Sequence, residues 1–203
     1  MPARRPRLLI VNGALAGDAG NTAVLLDRAA RLLGRRAVVE RVTLAANEGS
    51  SVDFAALRPR LAAADGFLFG TGTHWDSWSS VLQKFLEDAT PAEGTALWLG
   101  KPAAAIVSEH STGGKGVLSR LHGVLVTLGC TLPPMSGLVL SRAALLAARH
   151  DAKAARDFWS VADLTVVCHN LTEAAAVRAG RTTPPKWRAW SVDRRDFDAR
   201  WIG

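Results

Sequence analysis

Apolar and polar positions along the chain follow two rhythms. Short continuous apolar runs bounded by Gly, Pro or Asn read as buried strands. They are Leu8-Leu9-Ile10-Val11 ending at Asn12-Gly13, then Val38 to Leu44, Gly66 to Gly70, Ala103 to Val107, and a run within Leu132 to Leu140 that starts near Pro133-Pro134. Between them, apolar residues recur at helical spacing. Leu25, Ala29, Leu32 and Leu33 share a face after the capping chemistry of Asn21-Thr22, and Gly34 can end that helix. Val52 to Ala64 has a helical pattern interrupted by Pro59. Trp78 to Ala89 places Val81, Leu82, Phe85, Leu86 and Ala89 on one side. Val117, Leu118, Leu121, Val124, Leu125 and Leu128 form the cleanest stripe, and Val161, Leu164, Cys168, Leu171 and Ala175 mark a long last helix.

Strands alternate with helices five times, which predicts βαβ units, a parallel sheet and helices on both faces. There is no internal repeat and no low-complexity linker. The pattern stops near Gly180, where Thr182-Thr183-Pro184-Pro185 precedes Trp187, Trp190 and Trp201 among charges. The expected organisation is one α/β domain over residues 1–180 and a C-terminal arm over 181–203. Three indoles left in water are an apolar liability, so the arm is expected to pack on a partner subunit or back on its own chain.

At 203 residues, a single domain is the natural expectation, and such a chain buries roughly 70% of its unfolded surface. Cys130 and Cys168 lie far apart in apolar runs, which suits buried thiols rather than a disulfide or a metal pair. The sequence shows no signal-peptide h-region after Arg4, Arg5 and Arg7, and no run approaches the ~20 residues of a membrane span. A reducing cytoplasm is the expected location, with neither membrane nor metal involved. The net charge is +7, concentrated at the ends and in loops. No nucleic-acid motif accompanies it, so solvated surface charge is expected rather than a nucleic-acid partner.

Three loops carry the candidate chemistry, after the first, third and fourth strands. In a doubly wound sheet, ligands sit beyond the carboxyl ends of the strands. The first loop, Asn12 to Thr22, leads into a helix N-terminus suited to a phosphate, with Asn21 and Thr22 as side-chain donors. Gly13, Gly17 and Gly20 do not make G-x-G-x-x-G, and no Gly-Lys-Ser/Thr closes the loop. The second loop, Gly70 to Ser80, sets Trp75, Trp78 and His74 among hydroxyls, a composition suited to a flat ligand with a polar edge. The third, Ser108 to Gly116, offers Ser111 and Thr112 as donors, the pair Glu109-His110, and the backbone freedom of Gly113-Gly114. That pair reads as a pocket rim rather than a catalytic acid–base couple, so no catalytic side chain is assigned.

Together the loops resemble the NADPH-dependent FMN reductase family of flavodoxin-like proteins, with its quinone-reductase relatives, over roughly residues 7 to 140. The matching pieces are Gly13-Ala14 with Asn21-Thr22; Ala64-Asp65-Gly66 leading through Gly70 to Thr71-Gly72-Thr73-His74-Trp75; Lys84-Phe85-Leu86-Glu87-Asp88; Gly100-Lys101-Pro102; and Ser108 to Gly114. The resemblance implies a five-stranded parallel sheet of order 2-1-3-4-5. It also implies FMN held by Gly13, Ala14, Gly20, Asn21 and Thr22 at the phosphate, by Thr71, Gly72, Thr73, His74, Trp75, Asp76 and Ser77 along the ribityl chain and ring, and by Ser108, Glu109, His110, Gly113 and Gly114 at the pyrimidine side. The flavin would carry electrons from NAD(P)H as co-substrate to a quinone, free flavin or similar small acceptor. A homodimer or homotetramer is the implied assembly.

The departures are Ala14 for a phosphate-binding Ser, Gly72 for Pro, His74 for Tyr and Asp76 for Gly. They point towards weak FMN binding, a shifted potential or a lost cofactor, and Asp76 is equally expected to cap the next helix. Two alternatives stand beside the oxidoreductase. A flavodoxin-type electron carrier fits poorly with a basic chain that has no Tyr. A binding or regulatory protein with weak or no FMN affinity is favoured by the altered loops.

Overall fold

The computed structural model describes residues 4–45, 53–150 and 159–190. Five strands, β1 (Arg7–Asn12), β2 (Val38–Thr43), β3 (Gly66–Gly72), β4 (Ala103–Glu109) and β5 (Gly137–Ser141), form one parallel sheet in the order β2-β1-β3-β4-β5. Six helices accompany them: α1 (Asn21–Leu33), α2 (Phe54–Ala63), α3 (Ser80–Ala89), α4 (Gly114–Leu128), α5 (Arg142–His150) and α6 (Leu164–Arg178). The parallel sheet with helices on both faces is the one expected from the alternation of elements, and its flavodoxin-like strand order is the one that the resemblance implied.

The period-2 geometry of the strands splits their apolar side chains between two cores. Leu9, Val11, Phe67, Phe69, Ala105 and Val107 face α2, α3 and α4. Leu8, Ile10, Leu68, Ala104, Ile106 and Leu138 face α1 and α6. Both faces of the sheet are covered, which is why the strands are continuous apolar runs rather than alternating ones.

Several local expectations are corrected. The N-cap of α1 is Gly20, and Asn21 is already its first helical residue. Asp76 does not cap α3; the Ser79 hydroxyl does, accepting from the N–H of Leu82. Strand β5 begins at Gly137, after Pro133-Pro134, because two residues without N–H groups cannot enter a ladder. Helix α5 lies in a stretch to which the sequence reading assigned no element.

Pro59 sits inside α2 without ending it. The carboxyl end of α2 is held from below by Lys101, which is 1% exposed and donates to the carbonyls of Leu61 (2.7 Å) and Ala62 (3.1 Å). Burial pulls the Lys101 ammonium down to about 8, the charge of Arg178 pushes the same way, and Asp65 and Cys130 oppose. Both cysteines are free and buried, and burial pushes each thiol up to about 12.

Residues following α6 run back along it. Asn170, fully buried, receives the N–H of Arg188 and donates to the carbonyls of Arg188 and Pro134, all at 2.8 Å. The Glu173 carboxylate, 3% exposed, receives Arg36 (2.6 Å), Arg181 (2.9 Å) and the N–H of Lys186 (2.7 Å). Trp190 meets Trp159 edge-on at 5.6 Å, while Trp187 stays half-exposed and Trp201 lies outside the described residues.

Burial alone would raise the Glu173 carboxyl; the hydrogen bonds from Arg181, Lys186 and Arg36 overcome it and hold the group at about 2. A depressed carboxylate stabilises the fold above its ordinary value of 4.5 and loses that contribution as pH falls towards 2. Glu173→Gln is therefore expected to cost about 2 kcal/mol at neutral pH and to flatten the acid limb of the stability profile. Urea unfolding from pH 7 downwards reads both effects.

Candidate functional site

The carboxyl ends of β1, β3 and β4 meet where the strand order reverses. The first loop is shaped by Asn12, a fully buried amide at the end of an apolar strand. It donates to the Gly17 carbonyl (3.0 Å) and accepts from the N–H of Ala14 (3.2 Å). The loop delivers the chain to Gly20 and α1. No side chain caps α1, in contrast to α2, capped by Asp53, and α3, capped by Ser79. Its first turn therefore presents unsatisfied N–H groups beside a partial positive charge.

The second loop is a two-residue hairpin. His74 and Ser77 exchange both backbone hydrogen bonds (2.8 and 2.9 Å), and Trp75 and Asp76 between them adopt left-handed φ of 48° and 57°. Asn-Gly is the natural pair for such a turn. The indole of Trp75 projects fully into solvent. Trp78 lies back towards the core, its N–H on Gln83 (2.7 Å) and Arg120 5.8 Å above its ring.

The third loop is tied to both others. The N–H of Thr73 donates to the Ser108 carbonyl (2.8 Å), and the hydroxyls of Thr22 and Ser108 share a 2.7 Å hydrogen bond. Gly113 has φ of +90°, and a Cβ there would stand 2.1 Å from the Asp76 carboxylate. Arg120 donates to the Asp76 carbonyl. Glu109 accepts from the N–H of Gly114 at 2.6 Å, so this carboxylate serves the N-terminus of α4. The His110 carbonyl accepts from the N–H of Ala143 (2.8 Å) and the hydroxyl of Ser141 (3.3 Å).

These ties enclose a cleft of about 630 Å³. Ten of the sequence-derived candidates line it: Ala14, Gly20, Asn21, Thr22, Gly72, Thr73, His74, Ser108, Glu109 and His110. The rest stand elsewhere. Gly13 and Thr71 are knitted into the joint between β1, β3 and α3. The Gly13 carbonyl receives the Ser79 hydroxyl, and Thr71 donates to the Gly72 carbonyl at 3.1 Å. Trp75, Asp76 and Ser77 form the hairpin tip outside the lining. Gly113 lines an adjoining recess of about 320 Å³ with Lys115 and Trp159, and Gly114 packs against Val139 and Glu109.

The cleft also contains residues that sequence reasoning did not assign to the site: Leu15, Val24, Leu140, Val161 and, on α5, Arg142, Leu145, Leu146 and Arg149. The α5 set was readable from its i, i+3, i+4, i+7 spacing.

A flat, phosphorylated ligand such as FMN suits these residues. Phosphate has the open first turn of α1 together with Thr22, and the Thr73 hydroxyl is buried without a hydrogen-bond partner, as a donor or acceptor reserved for a ligand would be. Among the described residues, no group of His, Cys, Asp and Glu is arranged to hold a metal ion, and no helix is long and apolar enough to cross a membrane.

Comparison with known proteins gives the same picture. The family model for NADPH-dependent FMN reductase matches residues 6–145. No curated protein sequence matches. Among solved structures, RosB with bound 8-demethyl-8-formylriboflavin-5′-phosphate is 16% identical with a TM-score of 0.67, covering 97% of this chain and 94% of its own. The NADH:FMN oxidoreductase EMOB in its apo form is 18% identical with a TM-score of 0.57, covering 96% and 100%. A flavodoxin, WrbA-like protein from Agrobacterium tumefaciens is 19% identical with a TM-score of 0.58, covering 85% and 96%. At these identities the likeness is one of fold.

Replacing Trp75-Asp76 by Asn-Gly puts at these two left-handed positions the residues that tolerate them best. The double variant is expected to gain about 1 kcal/mol in stability, read as a higher urea midpoint with an unchanged slope.

Proposed function

Because the chain belongs to the NADPH-dependent FMN reductase family, we propose that it is an FMN-dependent NAD(P)H oxidoreductase acting on a quinone, free flavin or similar small acceptor. The observation that carries this reading is the buried, unpartnered hydroxyl of Thr73 in a cleft that also opens onto the uncapped first turn of α1.

FMN, when bound, supplies the hydride-accepting and electron-donating chemistry. The chain's own residues hold and orient it. The N–H groups of the first turn of α1, with Asn21 and Thr22, take the phosphate. Thr73 and His74 follow the ribityl chain and ring edge, while Ser108 and His110 meet the polar side of the ring. The reaction needs no acidic side chain, which fits Glu109 being spent on the N-terminus of α4. Ala14 brings no hydroxyl, and its N–H is already held by Asn12. That pair of facts favours a weaker phosphate cradle, and with it the second reading, a binding or regulatory protein with little affinity for FMN. A cytoplasmic homodimer or homotetramer completes the proposal, with the 1–180 domain carrying the cleft and the 181–203 arm fastened to α6 through Arg181, Lys186 and Arg188.

The purified protein is expected to retain stoichiometric FMN, with flavin absorbance that bleaches on anaerobic addition of NADPH. A protein that retains no flavin, as isolated or after loading with FMN, overturns the oxidoreductase reading. Thr73→Val is expected to raise the Kd for FMN about tenfold, the worth of one buried hydrogen bond. The flavin-free protein should meanwhile keep or gain stability, because an orphaned hydroxyl has been removed.

A further inference from the structure

Helix α5 is the least buried of the six, with only Ala144 buried among its residues. Its first turn is nevertheless firmly placed. Ser141 caps it by accepting from the N–H of Ala144 (3.3 Å) and donates to the His110 carbonyl (3.3 Å), to which the N–H of Ala143 also donates (2.8 Å). The helix is thus anchored to the loop expected to meet the flavin ring.

One stripe of α5 lines the cleft: Arg142, Leu145, Leu146 and Arg149. Leu145 is 42% exposed and Leu146 43%. Leu15 and Val24, 50% and 65% exposed, line the same cleft from the first loop and α1. Four of the large apolar side chains left exposed among the described residues therefore converge on one cleft, the arrangement of a binding surface rather than scattered surface. The arginines bracket the leucines. At 1.5 Å per residue, their Cα atoms stand about 10 Å apart along the helix. Neither arginine makes an ion pair with a described residue. The one acidic side chain in the lining, Glu109, is engaged by α4.

We propose that α5 is the specificity wall of the cleft, selecting an anionic co-substrate with a flat apolar body. The body lies against Leu145 and Leu146, opposite Leu15 and Val24, and the anionic group pairs with Arg142 or Arg149, whose planar guanidinium matches a carboxylate, sulfonate or phosphate. Packing of this stripe on its own copy across a two-fold axis is the poorer occupant, because antiparallel α5 helices would set Arg142 against Arg149 of the second copy. The inference rests on the oxidoreductase reading for the word co-substrate. The anion has two possible sources: the 2′-phosphate of a nicotinamide dinucleotide, or an acid group on the electron acceptor.

The test is calorimetric titration of the full chain, as purified, with two matched pairs of probes. They are 1,4-naphthoquinone-2-sulfonate against 2-methyl-1,4-naphthoquinone, and 2′,5′-ADP against 5′-AMP. The anionic member of at least one pair is expected to bind about tenfold tighter, the pair concerned identifying the source. The double variant R142Q/R149Q should erase the preference and leave the less charged member unchanged. Leu145→Ser should weaken both members of that pair. Equal binding within both pairs, or a preference that survives the double variant, overturns the proposal. So does a fall in solution mass of any variant by analytical ultracentrifugation, which would make α5 an interface between copies. Loss of FMN from the double variant, where the unaltered protein retains it, would assign the arginines to the flavin and also overturn it. A protein that never holds FMN sinks the oxidoreductase reading alone, since the calorimetry needs neither flavin nor turnover.

Discussion

The N–H of Gly13 donates to the carbonyl of Gly70 at 2.8 Å, closing β1 against β3 just past the end of β1, and neither residue has room for a side chain. A Cβ on Gly13 would stand 2.9 Å from Leu82 of α3, and one on Gly70 would stand 2.7 Å from Leu26 of α1. The two helices press on opposite faces of the sheet at the same joint. Ser79 strengthens it by donating to the Gly13 carbonyl while capping α3. From this joint the first loop leaves on one side and the hairpin on the other. The third loop hangs from both through Ser108. The cleft is consequently a property of the backbone, with side chains adjusting its chemistry.

The same economy of polar groups runs through the molecule. Lys101 is buried because it completes the end of α2, and Asn12 because it shapes the first loop. Asn170 and Glu173 are buried because they fasten the chain that follows α6. Each has its hydrogen bonds made within the fold, as burial demands. Three buried side-chain atoms among the described residues lack a partner, Trp98 Nε1, Arg181 Nε and the Thr73 hydroxyl, and of these only Thr73 belongs to the cleft lining, beside the uncapped turn of α1.

The strands and most helices were legible in the sequence because buried parallel strands such as Gly66 to Gly70 are unbroken apolar runs and helices such as α4 keep a clean stripe, whereas the strand order came from the family resemblance. The three loops were legible because Gly13, Gly72 and Gly113 sit beside polar side chains at strand ends. What was missed depends on contacts between distant residues. Asp76 looks like a cap by position, yet the hairpin turns it over Gly113 and leaves Ser79 to cap α3. In the sequence Gly100-Lys101-Pro102 stands only as a piece of the family resemblance, yet its lysine reaches 40 residues back to α2. Helix α5 escaped although the spacing of Arg142, Leu145, Leu146 and Arg149 puts them on one face, because a short Ala-Leu run bracketed by arginines gives no sign in the sequence of what that face lines.

A reduced flavin reached by dioxygen releases hydrogen peroxide, and peroxide attacks thiolates rather than thiols. Cys130 and Cys168 are both held in apolar surroundings with their thiols pushed up to about 12. At neutral pH essentially none of either is thiolate, and neither is accessible. The fold thereby keeps its sulfhydryls out of reach of the oxidant that its own cofactor would generate, so slow turnover in air need not end in oxidative self-inactivation through cysteine.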